Sequence, residues 1–82
     1  MSKLLFVPTV KSPDGVLLVP SDGDFFEVTE AGGREAGELL IDIMNDYQLE
    51  AVGIMEGTAD QFKARSIGTR VYGEVEFLEL IS

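Results

Sequence analysis

The sequence predicts a single small α+β domain, residues 1–82, in which a mainly antiparallel or mixed sheet of about five strands carries one long amphipathic helix on one face. Two observations predict this class. Short apolar runs separated by turns that contain Asp-Gly fill the first third of the chain, and one stretch near its middle has apolar residues at the period of a helix. A chain of 82 residues can bury one modest core, so we expect one domain.

Three strands are predicted before the helix. The first, residues 3–10, is rich in Leu, Phe and Val. Pro8 within it places the strand at a sheet edge or marks a bulge, because proline lacks an N–H group. Two turns that contain Asp-Gly then lead to an apolar strand at residues 16–19 and to a third strand at residues 24–28.

The long helix is the best-defined element of the sequence. It begins near Gly32 or Gly33 and ends near Tyr47, and one face is apolar along its length. The opposite side carries a row of acids. Like charges four residues apart, and acids close to the C-terminal end, are mildly unfavourable for a helix, so helix stability does not explain the row. The acids are Glu35, Glu38, Asp42 and Asp46.

The segment after the long helix is predicted to be a central strand, residues 50–56, because a short apolar run with two β-branched residues lies between two acids. Residues 59–67 have two readings. Thr58 and Gln61 form a capping box that would start a short second helix, whereas residues 68–69 could instead turn a β-hairpin. We favour the helix, and the hairpin stays open at this point.

A long final strand is predicted over residues 71–81. Its apolar and polar faces exchange after Phe77. A bulge near residues 76–78 would explain the exchange, and so would a strand end buried on both faces, for instance against a second subunit. Because this strand and the apolar strand at residues 16–19 offer more apolar surface than one helix covers, we expect a homodimer.

The composition excludes several classes of site. The chain has no His and no Cys, which removes His-based triads, thiol nucleophiles, His/Cys zinc sites, haem or iron–sulfur ligation and disulfide bonds. No nucleophile elbow, phosphate-binding loop or EF-hand spacing is present, so we predict no catalytic residue, no metal site and no cofactor. Whether the protein is an enzyme stays open, with the balance against it.

The net charge and the length of the apolar runs argue against nucleic acid and membrane as partners. Fifteen acids and six bases give a formal net charge of −9, and all of this excess lies in residues 1–60. The charge and the lack of a basic stripe argue against direct nucleic-acid binding. The longest apolar runs are about five residues, against ~20 for a spanning helix. We therefore expect no membrane segment and a cytoplasmic protein, and the small size of the chain favours a prokaryotic or phage origin.

The acidic row on the long helix predicts the leading function. The four helix acids would form an electrostatic surface for a basic protein partner, and the other interpretation is a solvated polar face that keeps a small apolar protein in solution. We therefore predict a small acidic, non-catalytic interaction module that acts by protein binding.

Two alternatives from other classes stay open. One is small-molecule binding in a pocket at a dimer interface, lined by aromatic residues with a guanidinium at its mouth. The other is an acidic inhibitor that mimics nucleic acid, which requires further acids to share the face of the helix row. The pocket residues would be Tyr47, Phe62, Arg65, Arg70 and Tyr72. The further acids would be Glu27, Glu30, Glu50, Glu56 and Asp60.

Overall fold

A computed structural model describes residues 3–28 and 33–80, which form five strands and three helices. In chain order the elements are β1 (Leu5–Lys11), β2 (Leu17–Pro20), α1 (Gly23–Phe26), α2 (Gly33–Tyr47), β3 (Glu50–Gly57), α3 (Ala59–Arg65), β4 (Ser66–Tyr72) and β5 (Val75–Leu80). The strands form one antiparallel sheet in the order β3-β1-β2-β5-β4. The predicted α+β class, with five strands and one long helix, is confirmed. Three positions used in the predictions, Glu30, Gly32 and Ile81, lie outside the described residues.

Each face of the sheet packs against one of the two longer helices. Leu18 of β2 and Phe77 of β5 lie in a buried cluster with the apolar stripe of α2. The next residues along these strands, Val19 and Leu78, lie in a second buried cluster with Phe62 of α3. Because successive side chains of a strand point to opposite faces, β2 and β5 are buried on both faces within the chain. Apolar surface on these strands therefore no longer argues for a dimer, which itself stays a prediction.

The predicted third strand at residues 24–28 is wrong, because this segment begins with the short helix α1. Asp22 is the N-cap of that helix, and its side chain accepts a hydrogen bond from the N–H of Phe25 at 3.3 Å. Gly23 allows close approach to β1, since a Cβ there would lie 2.8 Å from Leu5 Cδ1. The Asp-Gly pair that resembles a hairpin turn in the sequence therefore starts a helix.

The strand predicted to be central, residues 50–56, is the edge strand β3. It pairs with β1 and, within the described part of the chain, with no other strand. Its first five residues are exposed. The prediction was wrong because an apolar run does not distinguish a central strand from an edge strand with exposed apolar side chains.

The helical reading of residues 59–67 is confirmed for α3. The N–H of Gln61 donates to Thr58 Oγ1 at 3.1 Å, and the N–H of Thr58 donates to Gln61 Oε1 at 2.9 Å, which is the predicted capping box. The chain enters β4 immediately after α3. Gly68 therefore neither ends the helix nor turns a hairpin, and it lies beside a register shift between β4 and β5.

The long final strand predicted over residues 71–81 is wrong, because residues 71–80 comprise the end of β4, a turn and β5, and these two strands form a β-hairpin. Gly73 at its turn has φ +62°, a conformation that favours glycine. No register shift lies near residues 76–78, so the predicted bulge is wrong. The alternative explanation is correct in part: β5 is buried on both faces, with Phe77 towards α2 and Leu78 towards α3 of the same chain.

Candidate functional site

Helix α2 presents two different sides beside its buried stripe. Ala36, Leu40 and Ile43 are buried and fix which side of the helix faces the core. With about 100° between successive residues, the helix acids project on one side of this stripe and Ile41 on the other. The side with Glu35, Glu38, Asp42 and Asp46 is called the acidic flank, and the side with Gly33, Gly37 and Ile41 the apolar flank.

The four predicted partner-binding acids are all exposed on the acidic flank. Glu38 forms an ion pair with Arg34, with 3.3 Å between Oε1 and Nε. In residues 3–28 and 33–80, no ion pair involves Glu35, Asp42 or Asp46. Most of the negative charge on this flank is therefore not balanced by a neighbouring base.

A groove lies between the acidic flank, helix α1 and the turn that joins β4 to β5. Its volume is about 380 Å³, and its apolar lining comes from Leu39, Val75 and the two phenylalanines of α1. Its lining also includes three carboxylates, and no Lys or Arg of the described chain lines it. We call it the acid-rimmed groove. The carboxylates are Asp22, Glu74 and Glu76.

Sequence reasoning missed this groove. Asp22 had an explanation as a turn residue, and Glu74 and Glu76 were assigned to a continuous strand. They meet Leu39 only because the strand order places β5 under α2, and a strand order is not visible in local sequence patterns. The exposed ring of Phe25, which also lines the groove, lies on a helix that was predicted to be a strand.

Lys3 is the base that the structure places against α1 and the residues that follow it. Its Nζ lies 3.0 Å from Glu27 Oε2 and 3.7 Å from Asp24 Oδ1. The hydrogen bond with Glu27, followed by the charge of the same carboxylate, raises the pKa of Lys3. Lys3 thus serves these two acids and is absent from the lining of the acid-rimmed groove.

Of the five further acids that nucleic-acid mimicry requires, the four that the structure describes do not gather beside the acidic flank. Glu50 and Glu56 lie on the edge strand β3, and Asp60 lies on α3, on the opposite face of the sheet. Glu27 is held by Lys3. The described residues therefore do not form the continuous acidic face that could imitate the closely spaced phosphates of a duplex.

The five residues of the predicted ligand pocket lie in two places. Tyr47 and Tyr72 pack on the α2 side of the sheet, with ring centroids 4.9 Å apart. Phe62 is buried in the cluster on the α3 side, and Arg65 Nη1 approaches Met55 Sδ at 3.6 Å. The sheet separates these two groups, so within one chain they do not line one pocket.

Arg70, the fifth of these residues, holds three segments of the fold together. Its Nη1 lies 3.0 Å from Asp14 Oδ1, and its Nη2 lies 2.9 Å from Glu79 Oε2. Nη1 also donates to Tyr72 Oη at 3.0 Å. The hydrogen bond from Arg70, with a second from Ser12, lowers the pKa of Asp14 from 3.8 to about 2. The guanidinium thus ties the β1–β2 turn to β4 and β5.

A second groove lies on the apolar flank of α2. It has a volume of about 240 Å³, and Pro8, Val28 and Ile41 contribute to its lining. Ile54 lies directly opposite Pro8 in the sheet, and Phe6 lies two residues before Pro8 on the same face. All except Pro8 are at least 41% exposed. We call these five residues the apolar edge patch: Phe6, Pro8, Val28, Ile41 and Ile54.

One signal in the sequence pointed to this patch. Ile41 follows Leu40 directly and so falls outside the buried stripe of α2. An apolar residue out of phase with the buried stripe of a helix is expected at the surface. Which residues of β1 and β3 lie beside it could not be predicted, because that depends on the strand order.

No group of three or more His, Cys, Asp or Glu side chains in residues 3–28 and 33–80 is arranged to hold a metal ion. Over the same residues, no helix has the length and apolar character needed to cross a membrane.

No protein-family model, curated protein or solved structure matches the chain. The two grooves beside α2 are therefore interpreted from their own chemistry.

Proposed function

We propose that the protein is a non-catalytic binding module that recognises a basic segment of another protein at the acid-rimmed groove. The observation that carries the proposal is the groove's lining, in which an apolar floor is combined with three carboxylates and no base of the described chain. Large apolar patches bordered by polar groups commonly mark interaction sites.

The lining suits the side chain of an arginine or lysine. Such a side chain has an apolar stem and a cationic head, and both parts need a partner when it docks. The stem can pack on Phe25 and Leu39 while the head lies near Glu74 or Glu76. The exposed ring of Phe25 adds a favourable contact for a cation that lies over its face.

The acidic flank extends the same surface along α2. Leu39 belongs to the groove, and Glu35 and Asp42 lie four residues before it and three residues after it. On a helix these residues are neighbours of Leu39. Further cations of a bound segment would therefore meet carboxylates beyond the groove, which speeds association and orients the segment.

A peptide titration tests the proposal. A short peptide of alternating arginine and leucine is added to the ¹⁵N-labelled protein, and a matched glutamate–leucine peptide serves as the control. We expect saturable chemical-shift changes at the amides of Phe25, Leu39 and Val75 with the arginine peptide and none with the glutamate peptide. The affinity should fall steeply with added salt because the contacts are ionic.

Two variants with the same change in charge make the test specific. Glu74→Lys at the groove should weaken peptide binding by at least about tenfold. Glu50→Lys, which lies on β3 away from the groove, should leave binding within about twofold of the wild type. Equal losses in the two variants would mean that net charge alone attracts the peptide, and the proposal would then fail.

A further inference from the structure

The open edge of strand β3 is a second surface, independent of the proposed function. β3 forms one end of the sheet, and its exposed stretch includes Val52 and Ile54, which are 54% and 61% exposed. Natural proteins usually protect an edge strand with lysine, proline or a cover of other elements. β3 contains neither Lys nor Pro. The feature that interrupts its edge is the register shift against β1, which leaves Val52 without a partner in β1.

The register identifies which backbone groups face the open edge. Val28 N–H donates to the Phe6 carbonyl at 2.7 Å, so the backbone groups of Phe6 point away from β3. The pairs Phe6–Glu56 and Pro8–Ile54 are therefore non-hydrogen-bonded pairs of an antiparallel ladder. In such pairs both residues direct their N–H and C=O groups outward. Ile54 and Glu56 thus present theirs at the free edge.

Pro8 fits this geometry. Its missing N–H falls where β1 has no hydrogen bond to β3, and the pairing of β1 with β2 begins only at Val10. The sequence predicted a sheet edge or a bulge at Pro8. In the structure β1 is an internal strand, but at Pro8 it is paired with β3 alone. The register shift lies between Thr9 and Val10, directly after Pro8.

The charges around this edge are compatible with a second copy of the chain. In a protein of net charge −9, most surfaces would repel another copy. The acidic flank of α2, however, lies on the far side of the helix, and the apolar flank faces this edge. From Ala51 to Glu56, the last residue is the one charged side chain.

We propose that the open edge of β3 pairs in antiparallel fashion with β3 of a second copy. The symmetry axis would run perpendicular to the sheet, so the two apolar edge patches would lie on the same side and meet each other. The two five-stranded sheets would form one sheet of ten strands. The homodimer that the sequence predicted is thereby given an interface, on a surface other than the one first expected.

The outward groups also select a register. Placing Ile54 opposite Glu56 of the partner subunit uses the N–H and C=O groups of both residues in both copies. Placing Ile54 opposite Ile54 of the partner subunit uses those of one residue and runs into the irregular backbone at Val52. We therefore infer the first register, in which the two Met55 residues face each other and the two Glu56 side chains lie on a diagonal.

The mass of the protein in solution tests the dimer, with a matched pair of variants. Sedimentation equilibrium over micromolar to hundred-micromolar concentrations should give twice the 8.9 kDa mass of one chain. Ile54→Lys should weaken association by at least about tenfold. Val71→Lys, at a residue 64% exposed on the other edge strand, should leave it unchanged. Glu56→Gln should strengthen association, because it removes two like charges from the diagonal.

A cysteine probe tests the register, and the chain has no other Cys. Met55→Cys should form an intermolecular disulfide under mild oxidation, and Val71→Cys should not. Hydrogen exchange at the amides of Ile54 and Glu56 should slow as the concentration of the wild-type protein rises. In the Ile54→Lys variant, exchange at the Glu56 amide should not depend on concentration. A mass of one chain throughout, or a dimer that Val71→Lys dissociates and Ile54→Lys does not, would overturn the proposal. Protection of the same amides by an added peptide in a protein that stays monomeric would assign the edge to another partner, and would overturn it as well.

Discussion

The two flanks of α2 start from the same buried stripe and differ in everything else. The acidic flank carries four exposed carboxylates and borders a groove rimmed by three more. The apolar flank carries two glycines and an exposed isoleucine, and it borders the apolar edge patch. The acids of α2 lie on one flank only. A solvated surface would tolerate acids on both flanks, so solubility alone does not explain this arrangement.

This difference separates two kinds of binding. A surface with apolar floor and carboxylate rim suits a cationic segment, and repels a second copy of the same acidic chain. Among the described residues, the groove on the apolar flank has one carboxylate in its lining, Glu27, and this acid is paired with Lys3, so a second copy meets little uncompensated charge there. In the two proposals, α2 borders both surfaces on different sides, so that dimerisation and binding of a basic partner would not compete for the same residues.

The largest change in the free energy of unfolding is expected in the buried stripe between the two flanks of α2. Leu40→Ala removes a buried side chain and should lower the free energy of unfolding by about 2–5 kcal/mol. Ile41→Ala, one residue further along, removes a side chain that is 58% exposed, and should change it by less than about 0.5 kcal/mol. Urea unfolding in an Ile54→Lys background measures both without the influence of a dimer.

The outcome decides whether the apolar flank belongs to the core of the single chain. If Ile41→Ala costs as much as Leu40→Ala, the flank is packed within the monomer and is not an exposed interaction surface. If Ile41→Ala leaves the monomer unaffected and weakens association of the wild-type protein, the flank serves the interface.

A smaller effect of opposite sign is expected at a glycine of the apolar flank. Gly37 lies in the interior of α2, and a Cβ there would meet nothing within 4 Å. Gly37→Ala should therefore raise the free energy of unfolding by about 0.5–1 kcal/mol, because alanine loses less conformational freedom in a helix. Gly23→Ala is the matched control and should lower it, since its Cβ would collide with Leu5. A loss of stability in Gly37→Ala would contradict this expectation and would mean that the added methyl group collides with a neighbour on the apolar flank.

Much of the fold could be predicted from local chemistry. The period of α2, the capping box before α3 and the apolar run of β1 each depend on residues a few positions apart, and these elements are where the sequence placed them. The errors share a cause. Asp22–Gly23 can start a helix or a hairpin, and an apolar strand can be central or at an edge, and the choice depends on contacts with distant segments.

The candidate sites depended on such contacts even more. The acidic row was visible because it lies on one helix, but the groove beside it also needs α1 and the β4–β5 turn. The apolar edge patch needs the pairing of β1 with β3. Arg70 appeared as a base near aromatic residues, while its partner Asp14 lies 56 positions away in the sequence.

The smallest effect concerns the stability cost of the acidic flank. Asp46 lies in the last turn of α2, where no basic residue is present, and four residues after Asp42. Asp46→Lys should raise the free energy of unfolding by about 0.3–1 kcal/mol, because it places a cation at the C-terminal end of the helix and removes a like-charge pair. Glu35→Lys, in the first turn, is the matched control and should lower it by a similar amount.

Both shifts should shrink at high salt if their origin is electrostatic. The same two variants should weaken binding of the arginine peptide, so that Asp46→Lys gains stability and loses affinity while Glu35→Lys loses both. A gain in stability combined with a loss of binding is what an acid retained for a partner would show, because the folded chain alone would be better without it. If Asp46→Lys instead lowers the free energy of unfolding and leaves peptide binding unchanged, Asp46 stabilises the monomer, and the recognition surface is limited to the groove.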